Sequence, residues 1–124
     1  MDSSLLYKEI TEQIIGAAME VHNTLGSGFL EKVYENALAF ELRGHGLKAE
    51  QQKSITVRYK KELVGDYIAD LLVEDVVIVE LKTVDQLSDA HRAQMLNYLK
   101  ATGVRVGLLI NFHGRHLTWL RLIV

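Results

Sequence analysis

Apolar residues at Leu6, Ile10, Ile14, Ala17, Ala18, Val21 and Leu25 recur at helical spacing and predict a first helix, with Ser3 or Ser4 as its N-cap. Gly26-Ser27-Gly28 stops it. A second stripe, Leu30, Val33, Tyr34, Ala37, Leu38 and Leu42, predicts a helix from Phe29 or Leu30 to about Arg43, closed by Gly44 and Gly46. From Lys53 the period drops to two. Ile55, Val57 and Tyr59 alternate with Ser54, Thr56 and Arg58, as in a half-buried strand. Lys60-Lys61-Glu62 turns the chain into a hairpin spanning about 66–73 and 76–83. Ser88 or Asp89 opens a third helix that runs to about Thr102 and ends at Gly103. Val104–Phe112, apolar but for Arg105 and Asn111, suits a strand buried on both faces. After a turn at His113-Gly114-Arg115-His116, Leu117–Val124 forms the last strand. The order is ααβββαββ, which predicts one α/β sandwich over 1–124 built on a mixed sheet, without repeats or linkers.

Composition narrows the chemistry more than the fold. At 124 residues the chain can bury one core, and 48% hydrophobic with 24% charged residues is ordinary for a globular domain. No apolar run approaches the roughly 20 residues that span a bilayer. Met1-Asp2-Ser3-Ser4 lacks the basic-then-apolar layout of a signal peptide, so no membrane contact is expected and a cytoplasmic location is the default. The absence of cysteine excludes a disulfide framework, a zinc–thiolate site and a thiol nucleophile. A net charge of −2 gives no global attraction to a polyanion, so any nucleic-acid binding must rest on local charge.

Local charge is concentrated in the hairpin. Gly65-Asp66-Tyr67-Ile68-Ala69-Asp70-Leu71-Leu72-Val73 and Val76-Val77-Ile78-Val79-Glu80-Leu81-Lys82 place an acid on one apolar strand, and an acid and a base on the next. Acids at the ends of buried strands are costly unless their charge is offset, and a divalent cation bound to a phosphate would offset it. Glu80 and Lys82 share a strand face. Asp70, Glu80 and the Leu81 backbone carbonyl are the hard oxygen donors that Mg²⁺ takes, and Lys82 could hold a water or stabilise developing negative charge. Register decides the matter. A two-residue turn, Glu74-Asp75, would set Asp70 opposite Val79 and away from Glu80. A three-residue turn, Glu74-Asp75-Val76, or a bulge would set it across from Glu80. For Glu80 and Lys82 taken alone a strand-end salt bridge is the better explanation; Asp70 on the neighbouring strand brings the two readings level.

The helices add weaker candidates. His91, Gln94 and Tyr98 share one face of the third helix and could touch a nucleic-acid backbone or the attacking water; buried side chains bonded to the sheet would look the same. Glu31 lies in the first turn of the second helix, where the dipole alone would favour it, or it is a further acid at the metal site. His22 reads as a satisfied core or surface histidine. Lys60, Lys61 and the His113–His116 turn are candidate phosphate contacts, for which solvated loop charge is the better reading. No Walker-type or dinucleotide glycine motif is present.

Gly28-Phe29-Leu30-Glu31-Lys32-Val33-Tyr34 reads Gly-x-x-Glu-x-x-Tyr and, with Val21-His22, Leu25-Gly26 and Gly107-Leu108-Leu109-Ile110-Asn111-Phe112, resembles the bacterial GxxExxY protein family over essentially the whole chain. That family is placed in the PD-(D/E)XK nuclease superfamily. The resemblance implies a restriction-endonuclease-like αβββαβ core, a mixed central sheet flanked by helices, with an extra N-terminal helix and a C-terminal strand. It implies that Asp70 is the first acid, that Glu80-Leu81-Lys82 is the Glu-x-Lys, and that Glu31 is the helix acid often directed at the metal. Gln94-Met95-Leu96-Asn97-Tyr98 is similar to the Gln-x-x-x-Tyr helix of RecB-type nucleases. Ala69 stands where the superfamily's name has Pro. The expected activity is Mg²⁺- or Mn²⁺-dependent hydrolysis of nucleic acid, with DNA favoured over RNA by the resemblance alone. The alternative is an inactive nuclease-fold module that binds nucleic acid or a protein. So small a domain raises the expectation of a homodimer or an associated DNA-binding protein to complete a groove.

Overall fold

A computed structural model describes residues 5–124. The elements are α1 (Lys8–Leu25), α2 (Glu31–Gly44), β1 (Ala49–Tyr59), β2 (Glu62–Val73), β3 (Val77–Lys82), α3 (Asp89–Thr102), β4 (Val106–Asn111) and β5 (Thr118–Ile123), in the expected order. The N-cap expected at Ser3 or Ser4 lies outside the described residues; α1 begins after Tyr7, whose φ of 55° is left-handed. The Ser88 cap of α3 is present, with its side chain accepting from the His91 backbone N–H.

One sheet runs in the order β1-β2-β3-β4-β5. The first three strands form an antiparallel meander, β3 and β4 are parallel across the α3 connection, and β5 returns antiparallel to β4. This is the mixed, helix-flanked sheet of the restriction-endonuclease-like fold. α1 and α2 cover one face, packing Ile14, Val21, Tyr34 and Leu38 on Leu71, Val79, Leu81, Leu108 and Phe112. α3 covers the other, packing Met95 and Leu99 on Ala69, Leu72, Ile78 and Leu109. β4 is buried throughout, as its apolar run Val106–Ile110 requires, with Asn111 buried at its end. Gly107 leaves room for α3 there: a Cβ would sit 2.6 Å from Met95 Sδ.

Tyr34 ties α2 to the α1–α2 loop. Its hydroxyl donates to the Gly26 carbonyl (2.6 Å), and its ring stacks on Phe112 at 4.5 Å. The Tyr of the Gly-x-x-Glu-x-x-Tyr motif is therefore a buried strut, and the motif's Gly28, at φ 110°, turns the loop that the strut closes.

The first hairpin is longer than the sequence pattern predicts. β1 begins at Ala49 rather than near Lys53, and β2 at Glu62 rather than about 66. Gln52, at φ 50°, and Asp70 interrupt the β1–β2 ladder between the pairs Gln51↔Leu71 and Lys53↔Ala69. Both strands change face at that point: Leu71 and Ala49 pack toward α1 and α2, whereas Ala69, Tyr67 and Ile55 pack toward α3. Polar residues 50–53 mask this strand because the alternation that would reveal it restarts in the opposite phase.

Candidate active site

β2 and β3 pair through Leu71↔Val79, Leu72↔Ile78 and Val73↔Val77, which leaves Glu74, Asp75 and Val76 as a three-residue turn. Glu74 and Asp75 are both left-handed, at φ 52° and 61°, and Val76 N–H donates to the Val73 carbonyl. This register brings Asp70 opposite Glu80. Past Leu71 the backbone ladder between the strands ends, and the Asp70 side chain replaces it. Asp70 Oδ2 accepts from Leu81 N–H at 2.9 Å, and Glu80 Oε1 accepts from Asp70 N–H at 3.4 Å. The carboxylates thus meet in a notch where β2 parts from β3. In a strand, a residue's N–H and C=O point to the same edge, so the Leu81 carbonyl also faces this notch.

The electrostatics of the notch are unbalanced. Burial, together with the neighbouring Asp70 carboxylate, raises the Glu80 pKa from 4.5 to about 7, against the opposing effect of a hydrogen bond from the Tyr67 hydroxyl. Tyr67 is itself pushed upward by burial and by the Glu80 charge. Lys82, two residues on and on the same strand face, is half-buried, and its side chain makes no hydrogen bond or ion pair among the described residues. The loop that follows it is clamped by buried Asn111, which donates to the Val84 carbonyl and accepts from the Val84 N–H.

Both helical layers reach the notch. From the α3 side, Tyr98 stacks on Tyr67 with centroids 3.7 Å apart, and Gln94 Nε2 donates to the Tyr98 hydroxyl at 3.1 Å. Gln94 and Tyr98 therefore connect to Glu80 through Tyr67. His91 is engaged elsewhere: its Nδ1 accepts from Ser88 N–H and completes the cap of α3. From the α2 side the acid joined to the notch is Glu35, only 3% exposed, rather than Glu31. Glu31 is exposed in the first turn of α2, without a hydrogen bond or ion pair among the described residues. Glu35 accepts from Lys32 (2.8 Å), Gln51 (2.7 Å) and Gln52 (2.6 Å), and Gln52 Nε2 reaches Asp70 Oδ1 at 3.4 Å. Burial raises the Glu35 pKa, but these three donors outweigh it and hold the group below its usual value. His22 is buried, with Nε2 against the Gly114 carbonyl at 3.0 Å, as a satisfied core histidine should be.

Tyr67, Glu35 and Gln52 escape the sequence reading. The only trace of Gln52 is the phase break between Ala49 and Ile55, and Tyr67 looks like any apolar strand residue.

A family model described as the PD-(D/E)XK nuclease superfamily matches residues 8–122. The chain belongs to that superfamily. One solved structure similar to this PD-(D/E)XK chain is the crystal structure of SSO0001, with a TM-score of 0.60 and 14% identity. The match covers 94% of this chain and 60% of that one, so the likeness is one of fold. No curated protein matches the chain.

Among the described residues, no group of three or more His, Asp or Glu side chains forms a metal cage. Mg²⁺ does not need one: it is commonly held by one or two carboxylates, with waters and substrate phosphates completing the shell. Asp70, Glu80 and the Leu81 carbonyl are hard oxygen donors gathered at the notch, where the adjacent Asp70 and Glu80 carboxylates are ones a cation would offset. The residues of this PD-(D/E)XK chain fit a divalent cation of that kind.

Proposed function

We propose that this chain is a divalent-metal-dependent nuclease, acting on DNA and drawn from the GxxExxY branch of the superfamily. The observation that carries this reading is the notch itself. Asp70 and Glu80 face one another because the turn has three residues, with the unpaired Lys82 ammonium on the same face. In this reading Asp70, Glu80 and the Leu81 carbonyl hold Mg²⁺ or Mn²⁺. When bound, such an ion supplies Lewis acidity and makes water a stronger nucleophile.

The chain's own residues do the rest. Lys82 orients the attacking water and balances negative charge on the phosphate oxygens as it develops. Tyr67 donates to one Glu80 oxygen and thereby aims the other into the notch, and the Tyr98 ring beneath keeps Tyr67 in place. Gln94, exposed on α3, positions the substrate backbone and the Tyr98 hydroxyl. Gln52, on the neighbouring strand β1, fixes Asp70 and ties it to Glu35 of α2. His91, held in the α3 cap, and Glu31, exposed and apart from the notch, take no part in the reaction.

The test is incubation of the purified protein with plasmid and oligonucleotide substrates and Mg²⁺ or Mn²⁺, beside Glu80→Gln and Lys82→Ala. Metal-dependent cleavage at least 100-fold weaker in both variants is the expected outcome, in line with the rate commonly lost with a group that stabilises transition-state charge. Equal traces of cleavage in all three proteins would reject the assignment and favour an inactive binding module.

A further inference from the structure

β1 and β2 are longer than the sheet needs. β2 pairs with β3 only through Leu71, Leu72 and Val73, whereas its pairing with β1 continues to Tyr59↔Glu62. Beyond Asp70, therefore, the two strands leave the sheet as a ribbon. Its near part leans on α3 through Tyr67, Ile55 and Val57. Its far part has no cover: residues 58–66 are all exposed, including Tyr59 at 62%, Leu63 at 63% and Val64 at 59%.

In a chain of net charge −2, this tip is locally basic. Arg58, Lys60 and Lys61 cluster on the turn, with Glu62 and Asp66 as the acids nearby. Arg58 donates to the Lys61 carbonyl, the Lys60 ammonium lies 5.3 Å from the Tyr59 ring centroid, and among the described residues no carboxylate pairs with any of the three cations. Lys60 and Lys61, at φ 48° and 73°, make a tight left-handed turn that presents both side chains outward. The exposed cations thus give the tip a positive surface complementary to a polyanion.

We infer that this ribbon is a nucleic-acid-binding arm: its root carries the acid pair and its tip grips the backbone of duplex DNA away from the cut. The inference rests on the nuclease reading and extends it to where the substrate lies. A two-stranded ribbon has the width of the major groove. From Asp70 to Lys61 the strand covers roughly 30 Å at about 3.3 Å per residue. That corresponds to about nine nucleotides at roughly 3.4 Å each along one strand. Duplex of about that length on one side of the scissile bond is therefore needed for the tip to engage.

The experiment measures fluorescence anisotropy of labelled DNA duplexes of 6, 10, 14 and 20 base pairs (about half to twice the span of the arm). Ca²⁺ replaces Mg²⁺, and the wild type is compared with Arg58→Ala/Lys60→Ala/Lys61→Ala. The wild type should tighten by about tenfold or more between the shortest and longest duplexes, and the triple variant should not. On the longest duplex, the slope of log K against log salt should be shallower by about 2–3 in the variant, since each phosphate contact contributes roughly 0.9. Equal affinity and equal slope in the two proteins would overturn the arm. Metal-dependent cleavage by the wild type but not by Glu80→Gln would in that case leave the nuclease reading intact. If the wild type binds no duplex at any length, the arm is rejected, and absence of cleavage in the same preparation rejects the nuclease reading with it.

Discussion

Glu80 is where sequence, structure and chemistry meet at one atom. Its carboxyl titrates near 7 when folded and near 4.5 when free, so the native state holds an extra proton between those values. Without metal, stability should fall as pH rises from about 4.5 to about 7, by on the order of 3 kcal/mol in total. Glu80→Gln should abolish that fall and be the more stable protein at pH 8, a comparison urea titration in EDTA makes directly. Gln52 gives a second prediction. Its side chain joins buried Glu35 to Asp70 from a left-handed backbone. Gln52→Ala should weaken Mn²⁺ binding by calorimetry about tenfold or more, the usual cost of removing a group that orients a ligand. Its stability should change by only about 1 kcal/mol. The acids and the lysine were legible in the sequence because charge on an apolar strand is anomalous. Glu35 and Gln52 were not, since acid and amide side chains on a helix or strand look solvated until the partners that offset their burial are placed.

Among the elements, the β2–β3 turn carries the most consequence. Val76 could have been read as the first strand residue or the last turn residue, and only the second choice sets Asp70 beside Glu80. The sequence posed that alternative but could not resolve it, because apolar identity serves either position. Asp75, at φ 61°, would suit glycine, and its ion pair with Lys48 is exposed. Asp75→Gly should therefore raise stability by about 0.5–1 kcal/mol and leave register unchanged, which thermal unfolding and amide exchange would establish. In the α3–β4 contact, Gly107→Ala would press a methyl against Met95 Sδ. Because the Met95 side chain is flexible, the expected cost is about 1–3 kcal/mol by denaturant unfolding, without loss of the fold. α2 and α3 were legible almost to the residue, as was the end of α1, which however starts only at Lys8. β1 was not, because its phase reverses at Gln52.

For the whole molecule, sheet order and helix placement lead to the same notch from both sides, and the ribbon leaves the sheet at the residue where the notch opens. This chain spans 60% of the length of the solved structure it resembles, and within it the ribbon is the long exposed extension of the sheet next to the notch. Among the described residues no helix is long and apolar enough to cross a membrane. The central claim is that Asp70 and Glu80 together hold one divalent ion. Anomalous scattering from crystals grown with Mn²⁺ tests it most directly. A single strong peak at bonding distance, about 2 Å, from oxygens of Asp70, Glu80 and the Leu81 carbonyl is the result predicted, and it should vanish in Glu80→Gln. Crystals saturated with Mn²⁺ that show no peak in the notch, or one that persists in the variant, would contradict it.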